Sequence, residues 1–187
     1  MGEIDEGLER SERTKPIPVN LSTRVKFLWA KVAKQDTKAL AETAGISVRT
    51  AQRWVKALKA GEQPAMTKAN ERRVEQQVRA KWQPKVKQRV RNAAETNGFM
   101  LTLSGTFGFS SAAGSTDDPR PRTITHKMPG GVAQELYAAR DAGASQAEQE
   151  RVLAKGLREH YFKDNGTRAA SLDVELNDVA WIDVEGL

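Results

Sequence analysis

The chain has 187 residues, of which 39% are hydrophobic and 29% are charged, so it can bury a core as one large domain or two small ones. It has no cysteine, which excludes disulfides and thiolate metal sites, and it has only two histidines. No apolar run approaches the length of a membrane span, and the first residues are too acidic for a signal peptide. These features predict a cytoplasmic protein that has no metal site of its own and no membrane contact.

The net charge of +6 is distributed unevenly along the chain. Residues 15–92 carry nineteen basic and five acidic side chains, a net charge of +14, whereas residues 130–187 have a net charge of −5. Segregation of this size predicts that the basic block binds a polyanion and that the acidic block has a different role.

The first region in chain order has no clear periodicity. Residues 1–20 show neither a helical nor a strand pattern, and Lys15-Pro16-Ile17-Pro18 disfavours a helix, so we predict a mobile arm. From Ser22 to Lys34 the pattern is helical and predicts an apolar stripe that packs against the helices that follow. The stripe consists of Val25, Leu28, Trp29 and Val32.

Thr37–Leu58 has the spacing of a helix-turn-helix, in a domain predicted to cover residues 21–66. Small apolar residues lie on one side of a first helix, Gly45 suits a tight turn, and Ser47 can cap a second helix. Apolar residues return at helical spacing on that second helix and are predicted to face the core: Ala51, Trp54, Val55 and Leu58.

The opposite side of the second helix is predicted to bind DNA. A recognition helix reads base edges through its N-terminal residues, where arginine can contact phosphate or guanine and glutamine can pair with adenine. The predicted contacts are Ser47, Arg49, Thr50, Gln52, Arg53 and Lys56.

A second basic segment covers residues 67–97. Val74, Val78 and Trp82 recur every four residues, and Pro84 predicts either a kink or a junction between two helices. The cations between the apolar positions are predicted to track DNA phosphates: Arg72, Arg73, Arg79, Lys81, Lys85, Lys87, Arg89 and Arg91.

Residues 98–187 have a different pattern. Alternation predicts strands at Phe99–Leu103 and Thr123–Met128, with a long loop at residues 110–121 that exposes several hydroxyls. We therefore expect this part of the chain to form a sheet around that loop.

Helices and a final strand region follow the loop. Gly130 opens one helix, and Ser145 with Glu148 makes a capping box for another. Leu172–Val184 again has strand character. The predicted fold class is α+β, with an N-terminal all-helical helix-turn-helix domain followed by a small α+β C-terminal module.

Five short motifs resemble the telomere terminal proteins of Streptomyces linear chromosomes and plasmids. The match in length and motif order begins at about residue 22 and covers most of the chain from there, and the Trp-Gln-Pro and Gly-Ser-Thr-Asp-Asp runs are its most specific parts. The motifs are Lys81-Trp82-Gln83-Pro84, Phe107-Gly108-Phe109, Gly114-Ser115-Thr116-Asp117-Asp118, Gly143-Ala144-Ser145 and Tyr161-Phe162-Lys163-Asp164.

This resemblance implies a protein primer that remains covalently attached to the 5′ ends of a linear replicon. By motif, Thr116 would accept the first deoxynucleotide, with Ser115 as the nearest alternative. A partner DNA polymerase would supply the chemistry, the deoxynucleotide and Mg²⁺, so the protein would be neither an enzyme nor the holder of a cofactor. Further implied partners are telomeric DNA, with its 5′ ends and 3′ overhangs, and a telomere-associated protein. The implied location is the nucleoid at replicon ends.

Two other functions fit the same residues. A helix-turn-helix transcriptional regulator would use the C-terminal module to dimerise or to sense a ligand. A recombinase-like enzyme would use Ser115 or Thr116 as a nucleophile towards DNA. The paired Asp117-Asp118 does not by itself make a two-metal nuclease site, because that chemistry needs several converging ligands.

Overall fold

The computed structural model describes residues 2–110, 116–166 and 172–186, with the backbone alone for 116–118. Within these ranges the fold is mixed α+β, with eight α-helices and a three-stranded antiparallel sheet. No helix in this part of the chain is long and apolar enough to cross a membrane. The helices are α1 (Glu3–Ser11), α2 (Leu21–Phe27), α3 (Thr37–Ala44), α4 (Val48–Lys59), α5 (Lys68–Lys81), α6 (Pro84–Asn97), α7 (Gly130–Asp141) and α8 (Gln146–Leu157). The strands are β1 (Phe99–Ser110), β2 (Thr116–Met128) and β3 (Asp173–Gly186), and π-helical turns at Leu28–Val32 and Arg158–Phe162 extend α2 and α8.

The chain divides into two compact units. The helical unit is Lys15–Pro84, and the sheet unit combines Met1–Thr14 with Lys85–Leu187. Counted over these ranges, the helical unit has fifteen basic and five acidic side chains, a net charge of +10, and the sheet unit has a net charge of −4. The two units therefore carry net charges of opposite sign.

The helical unit is built around one apolar cluster. The predicted stripe of α2 and its π-helical turn packs there, with Val25 and Leu28 fully buried. Trp54 of α4 and Val78 of α5 are buried in the same cluster. Asp36 caps α3 by accepting hydrogen bonds from the amides of Lys38 and Ala39.

The sheet unit has the strand order β2-β1-β3, with both pairs antiparallel. Alternate residues of β1, such as Leu101 and Leu103, are fully buried against α7, α8 and α1 in one core. The intervening residues, such as Thr102, face the other side of the sheet, where Thr102 and Thr125 are hydrogen-bonded through their hydroxyls at 3.1 Å. The capping box predicted at Ser145 and Glu148 is present at the start of α8.

The prediction of a mobile arm over residues 1–20 is wrong for α1. Ile4 and Leu8, four residues apart, lie on one side of the helix and are buried in the core of the sheet unit. Gly7 allows the close approach, because a Cβ there would lie 2.8 Å from the carbonyl oxygen of Ile182. The helix is stabilised by contacts with β3, which lies more than a hundred residues away along the chain, and local periodicity does not report such contacts.

The predicted loop over residues 110–121 also differs from the structure. β2 begins at Thr116, and its backbone pairs with Ser110 of β1, so residues 116–121 belong to a strand. Pro119 and Pro121 disfavour a strand when the sequence is considered alone. They are tolerated here because β2 is an edge strand, where a missing amide donor can face solvent.

The basic segment predicted over residues 67–97 is two helices rather than one kinked helix. α5 ends at Lys81, Gln83 adopts a left-handed conformation with φ 45°, and Pro84 is the first residue of α6. The boundary between the two units falls at this junction, so α5 belongs to the helical unit and α6 to the sheet unit. The domain boundaries predicted after residue 66 and before residue 98 do not coincide with this observed boundary.

Candidate nucleic-acid interface

α3 and α4 are joined by a tight turn whose geometry depends on Gly45. Gly45 has φ 62°, a left-handed conformation that glycine adopts without strain, and it ends α3. The amide of Ile46 donates to the carbonyl of Ala41 at 3.0 Å, which closes the turn. From α5, Arg73 donates to the carbonyl oxygen of Gly45 at 3.0 Å, so a third helix holds the turn in place.

The start of α4 is capped as the sequence predicts. The Ser47 hydroxyl accepts a hydrogen bond from the Thr50 amide at 3.2 Å, and the two hydroxyls lie 2.9 Å apart. The inner side of the helix is also as predicted, since Ala51, Trp54 and Val55 are buried. The indole of Trp54 donates to the carbonyl of Ala65, which satisfies its buried polar atom.

The outer side of α4 carries the predicted DNA contacts. Arg49, Gln52, Arg53 and Lys56 are all exposed, and Thr50 is half-buried. Within the described residues, none of the four exposed side chains makes a hydrogen bond or ion pair. Three cations and one amide on a single helical side are therefore available to an anionic ligand.

The cations of α5 are exposed but partly engaged within the helical unit. Glu75 pairs with Arg79 at 3.3 Å and with Arg24 of α2 at 3.3 Å, and Arg73 is bonded to the turn at Gly45. Arg72 and Lys81 are exposed on the same helix. Pairs of this exposed kind contribute little stability, so they do not prevent a phosphate from competing for the arginines.

The cations of α6 are divided between the surface and a network inside the sheet unit. Lys85 and Arg89 are exposed. Lys87 pairs with Glu12 at 3.5 Å, and Arg91 pairs with Asp141 at 2.7 Å. The structure therefore places the predicted DNA contacts Lys87 and Arg91 in structural ion pairs.

The centre of that network is a buried ion pair between Glu12, which directly follows α1, and Arg140 of α7. Two hydrogen bonds of 2.7 and 3.1 Å join them, and Glu12 is 4% exposed. Burial works to lower the pKa of Arg140, but the hydrogen bond and the charge of Glu12 outweigh it and raise that pKa above its ordinary value. Burial raises the pKa of Tyr137 to about 12, and Glu12 acts in the same direction. Arg91 and Arg140 lie over the Tyr137 ring at 4.6 and 5.1 Å.

Of the two residues predicted to carry the acceptor hydroxyl, the structure describes only the backbone of Thr116. Ser115 and the side chain of Thr116 are outside the described residues, but the backbone of Thr116 pairs with Ser110. The next residue along β2, Asp117, pairs with Phe109 of β1. Thr116, the predicted acceptor, is therefore the first residue of β2.

A ring cluster beside this hairpin was not predicted. Phe162 of the π-helical turn packs against Phe107 and Phe109 with ring centroids 5.9 and 5.0 Å apart. Tyr161 contacts Phe162 at 4.8 Å and His126 of β2 at 5.4 Å. The Tyr161-Phe162 pair was visible in the sequence, but its distance along the chain from residues 107–126 concealed the cluster.

Among residues 2–110, 116–166 and 172–186, no group of three or more acidic or histidine side chains could hold a metal ion. His160 is bonded to Asn165 through its Nδ1 atom at 2.8 Å, which gives it a structural role.

The chain matches no protein-family model, no curated protein and no solved structure.

Proposed function

We propose that the protein binds DNA through a helix-turn-helix formed by α3 and α4. The observation that supports this most directly is the outer side of α4, where Arg49, Gln52, Arg53 and Lys56 are exposed opposite the buried Ala51 and Trp54. Exposed residues on the outer side of a second helix are those that enter the major groove in this motif. The net charge of +10 on the helical unit supports the same ligand, because counterion release from DNA favours basic surfaces.

We propose further that the protein is a telomere terminal protein, with Thr116 as the hydroxyl that accepts the first deoxynucleotide. In that step the Thr116 Oγ1 atom attacks the α-phosphate of a deoxynucleoside triphosphate. A phosphodiester bond to the protein forms, pyrophosphate leaves, and the hydroxyl proton passes to a base of the polymerase or to solvent. Metal ions of the polymerase stabilise both oxygens, so the protein needs only a reachable hydroxyl and a surface that holds it on DNA.

The support for the priming step is the resemblance of the Gly114–Asp118 motif together with its place in the chain. Thr116 is the first residue of β2, and strand ends reach a partner's active site more readily than strand interiors do. Telomeric DNA, a DNA polymerase and a telomere-associated protein are the partners of this proposal, with the protein located at replicon ends.

The double substitution Arg49→Ala and Arg53→Ala tests the DNA-binding surface. We expect weaker binding to duplex DNA and a shallower dependence of log affinity on log salt, by roughly one unit of slope for each phosphate contact that is lost. Fluorescence anisotropy with a labelled telomeric duplex over a series of salt concentrations measures both quantities.

Arg151→Ala is the matched control, because Arg151 is an exposed cation on α8 of the sheet unit. It should leave affinity and slope unchanged. A double variant that binds with wild-type affinity and slope would exclude the outer side of α4 as the DNA surface. High affinity for a palindromic operator, without any labelling of the protein in a priming assay, would instead favour a transcriptional regulator.

A further inference from the structure

Tyr161 places an aromatic ring on the surface of the sheet unit. It is 43% exposed, whereas its neighbour Phe162 is half-buried against β1. Exposed aromatic rings are the surfaces on which nucleobases stack, because every base has a π-face. Tyr161 is therefore a candidate contact for a planar ligand.

Two neighbouring rings hold Tyr161 without lying flat on it. The interplanar angle is 66° to His126 and 82° to Phe162, so both contacts are edge-on. Edge-on contacts restrict the orientation of the phenol ring and leave it free of a parallel partner in this cluster. The exposed 43% of Tyr161 is the surface that the cluster offers to a planar base.

Cations lie beside the rings on the same side of the sheet. Arg120 and Arg122 pair in register with Phe107 and Gly105, both buried, and the Arg122 guanidinium lies 5.0 Å from the centroid of the Phe109 ring. His126 is four residues further along β2, which corresponds to about 13 Å of strand. Arg122 thus lies beside Phe109 and about 13 Å along β2 from His126, a spacing that a short piece of nucleic acid can span.

The cluster adjoins the proposed priming position. Phe109, one of its rings, is the register partner of Asp117, and Asp117 follows Thr116 directly. Phe109 is therefore the ring of the cluster that lies nearest, by strand register, to the start of β2.

The second exposed aromatic ring of the sheet unit has different surroundings. Trp181 is 42% exposed and pairs with Ser104, on the opposite side of the sheet from the ring cluster. Asp183 and Glu185 follow it on that side and would repel a phosphate. Of these two exposed rings, Tyr161 is the one whose ring cluster includes a contact with an arginine.

We propose that Phe109, His126, Tyr161 and Phe162 form a stacking site for an unpaired nucleobase, with Arg120 and Arg122 contacting its phosphates. The inference rests on the proposed function, and it adds a second nucleic-acid site that is separate from α4. Two sources offer the same chemistry: an unpaired base near the end of a single DNA strand, and a free deoxynucleoside triphosphate.

The test compares substitutions at the two exposed rings. Tyr161→Ala and Tyr161→Leu remove the π-face, Tyr161→Phe keeps it, and Trp181→Ala removes the other exposed ring. Fluorescence anisotropy with a short labelled single strand and calorimetric titration with deoxynucleoside triphosphates measure the two sources separately. Chemical denaturation followed by circular dichroism reports whether the sheet unit of each variant is folded.

We expect Tyr161→Ala and Tyr161→Leu to weaken binding roughly tenfold, within the range found for the loss of one base–aromatic stack. Tyr161→Phe and Trp181→Ala should bind as the wild type does. If this pattern appears with the single strand, the bound base belongs to a DNA end; if it appears with the triphosphate alone, the bound base belongs to the incoming nucleotide. Wild-type binding of both ligands by Tyr161→Ala, or an equal loss in Trp181→Ala, would overturn the proposal.

A second measurement locates the contact. A single strand that contains 5-iododeoxyuridine should form a photo-crosslink in the peptide that includes Tyr161, and a crosslink confined to α4 would contradict the stacking site. Failure of the proposed function is distinguishable from failure of this site. If the Arg49 and Arg53 substitutions do not weaken duplex binding, the Tyr161 variants can still weaken binding of the single strand or the triphosphate. If the Tyr161 variants bind these ligands as the wild type does, the Arg49 and Arg53 substitutions can still weaken duplex binding.

Discussion

Thr116→Ala is expected to abolish covalent attachment of a deoxynucleotide to the protein. The Thr116 hydroxyl supplies the oxygen of the new phosphodiester bond, and alanine has no atom that can replace it, so the loss should be complete rather than partial. The assay combines the protein with labelled deoxynucleotides, the cognate polymerase and a telomeric template. Label that remains on the protein after denaturation is the measured quantity.

Thr116→Ser and Ser115→Ala are the controls for this experiment. Thr116→Ser keeps a hydroxyl at the same position and should retain labelling, while Ser115→Ala should leave it unchanged. Labelling that persists in Thr116→Ala but disappears in Ser115→Ala would move the acceptor by one residue. If the wild-type protein acquires no label with all partners present, the priming function itself is wrong.

Glu12→Ala is expected to lower the free energy of unfolding of the sheet unit by about 3–5 kcal/mol, the range for breaking a buried ion pair on one side. The substitution leaves Arg140, whose side chain is 13% exposed, without the carboxylate that accepts its two hydrogen bonds. It also removes the partner of Lys87. Chemical denaturation followed by circular dichroism measures the change.

Glu6→Ala is the matched control, since Glu6 is an exposed glutamate on α1, the helix that Glu12 directly follows. It should change the free energy of unfolding by no more than about 0.5 kcal/mol, as is usual for surface substitutions. Equal stability of the two variants would mean that α1 is not held in the sheet unit through Glu12. Glu12→Gln keeps a hydrogen-bond acceptor and should fall between the two.

The side chains on α4 could be assigned from the sequence because their signals are local. Apolar spacing separates the buried Ala51 and Trp54 from the exposed Arg49 and Arg53, and a cap hydroxyl at Ser47 marks the start of the helix. The same reasoning predicted α8 from its capping box. These features depend on residues within a few positions of one another, which is why one sequence suffices to find them.

The stacking cluster illustrates the opposite case. His126 and Tyr161 are separated by a helix pair in sequence, yet their rings are 5.4 Å apart. No spacing rule connects a strand residue with a π-helical turn, and the contact exists only because β2 and the end of α8 belong to the same unit. The sequence showed the Tyr161-Phe162 motif without showing what it packs against.

By itself, the sequence determined the α+β class, the positions of most helices, the capped start of α4 and the segregation of basic and acidic charge, because each depends on local spacing or on composition. Tertiary structure decided three other features: the helix at Glu3–Ser11, the strand from Thr116 in place of a loop, and the division of the basic segment at Pro84. The helix and the strand each depend on a partner far away in the chain, whereas at Pro84 the structure decided between the kink and the junction that the sequence left open. Glu12 needs Arg140, and β2 needs the hydrogen bonds of β1. Long-range contacts of this kind override local propensity, and only the folded chain reveals them.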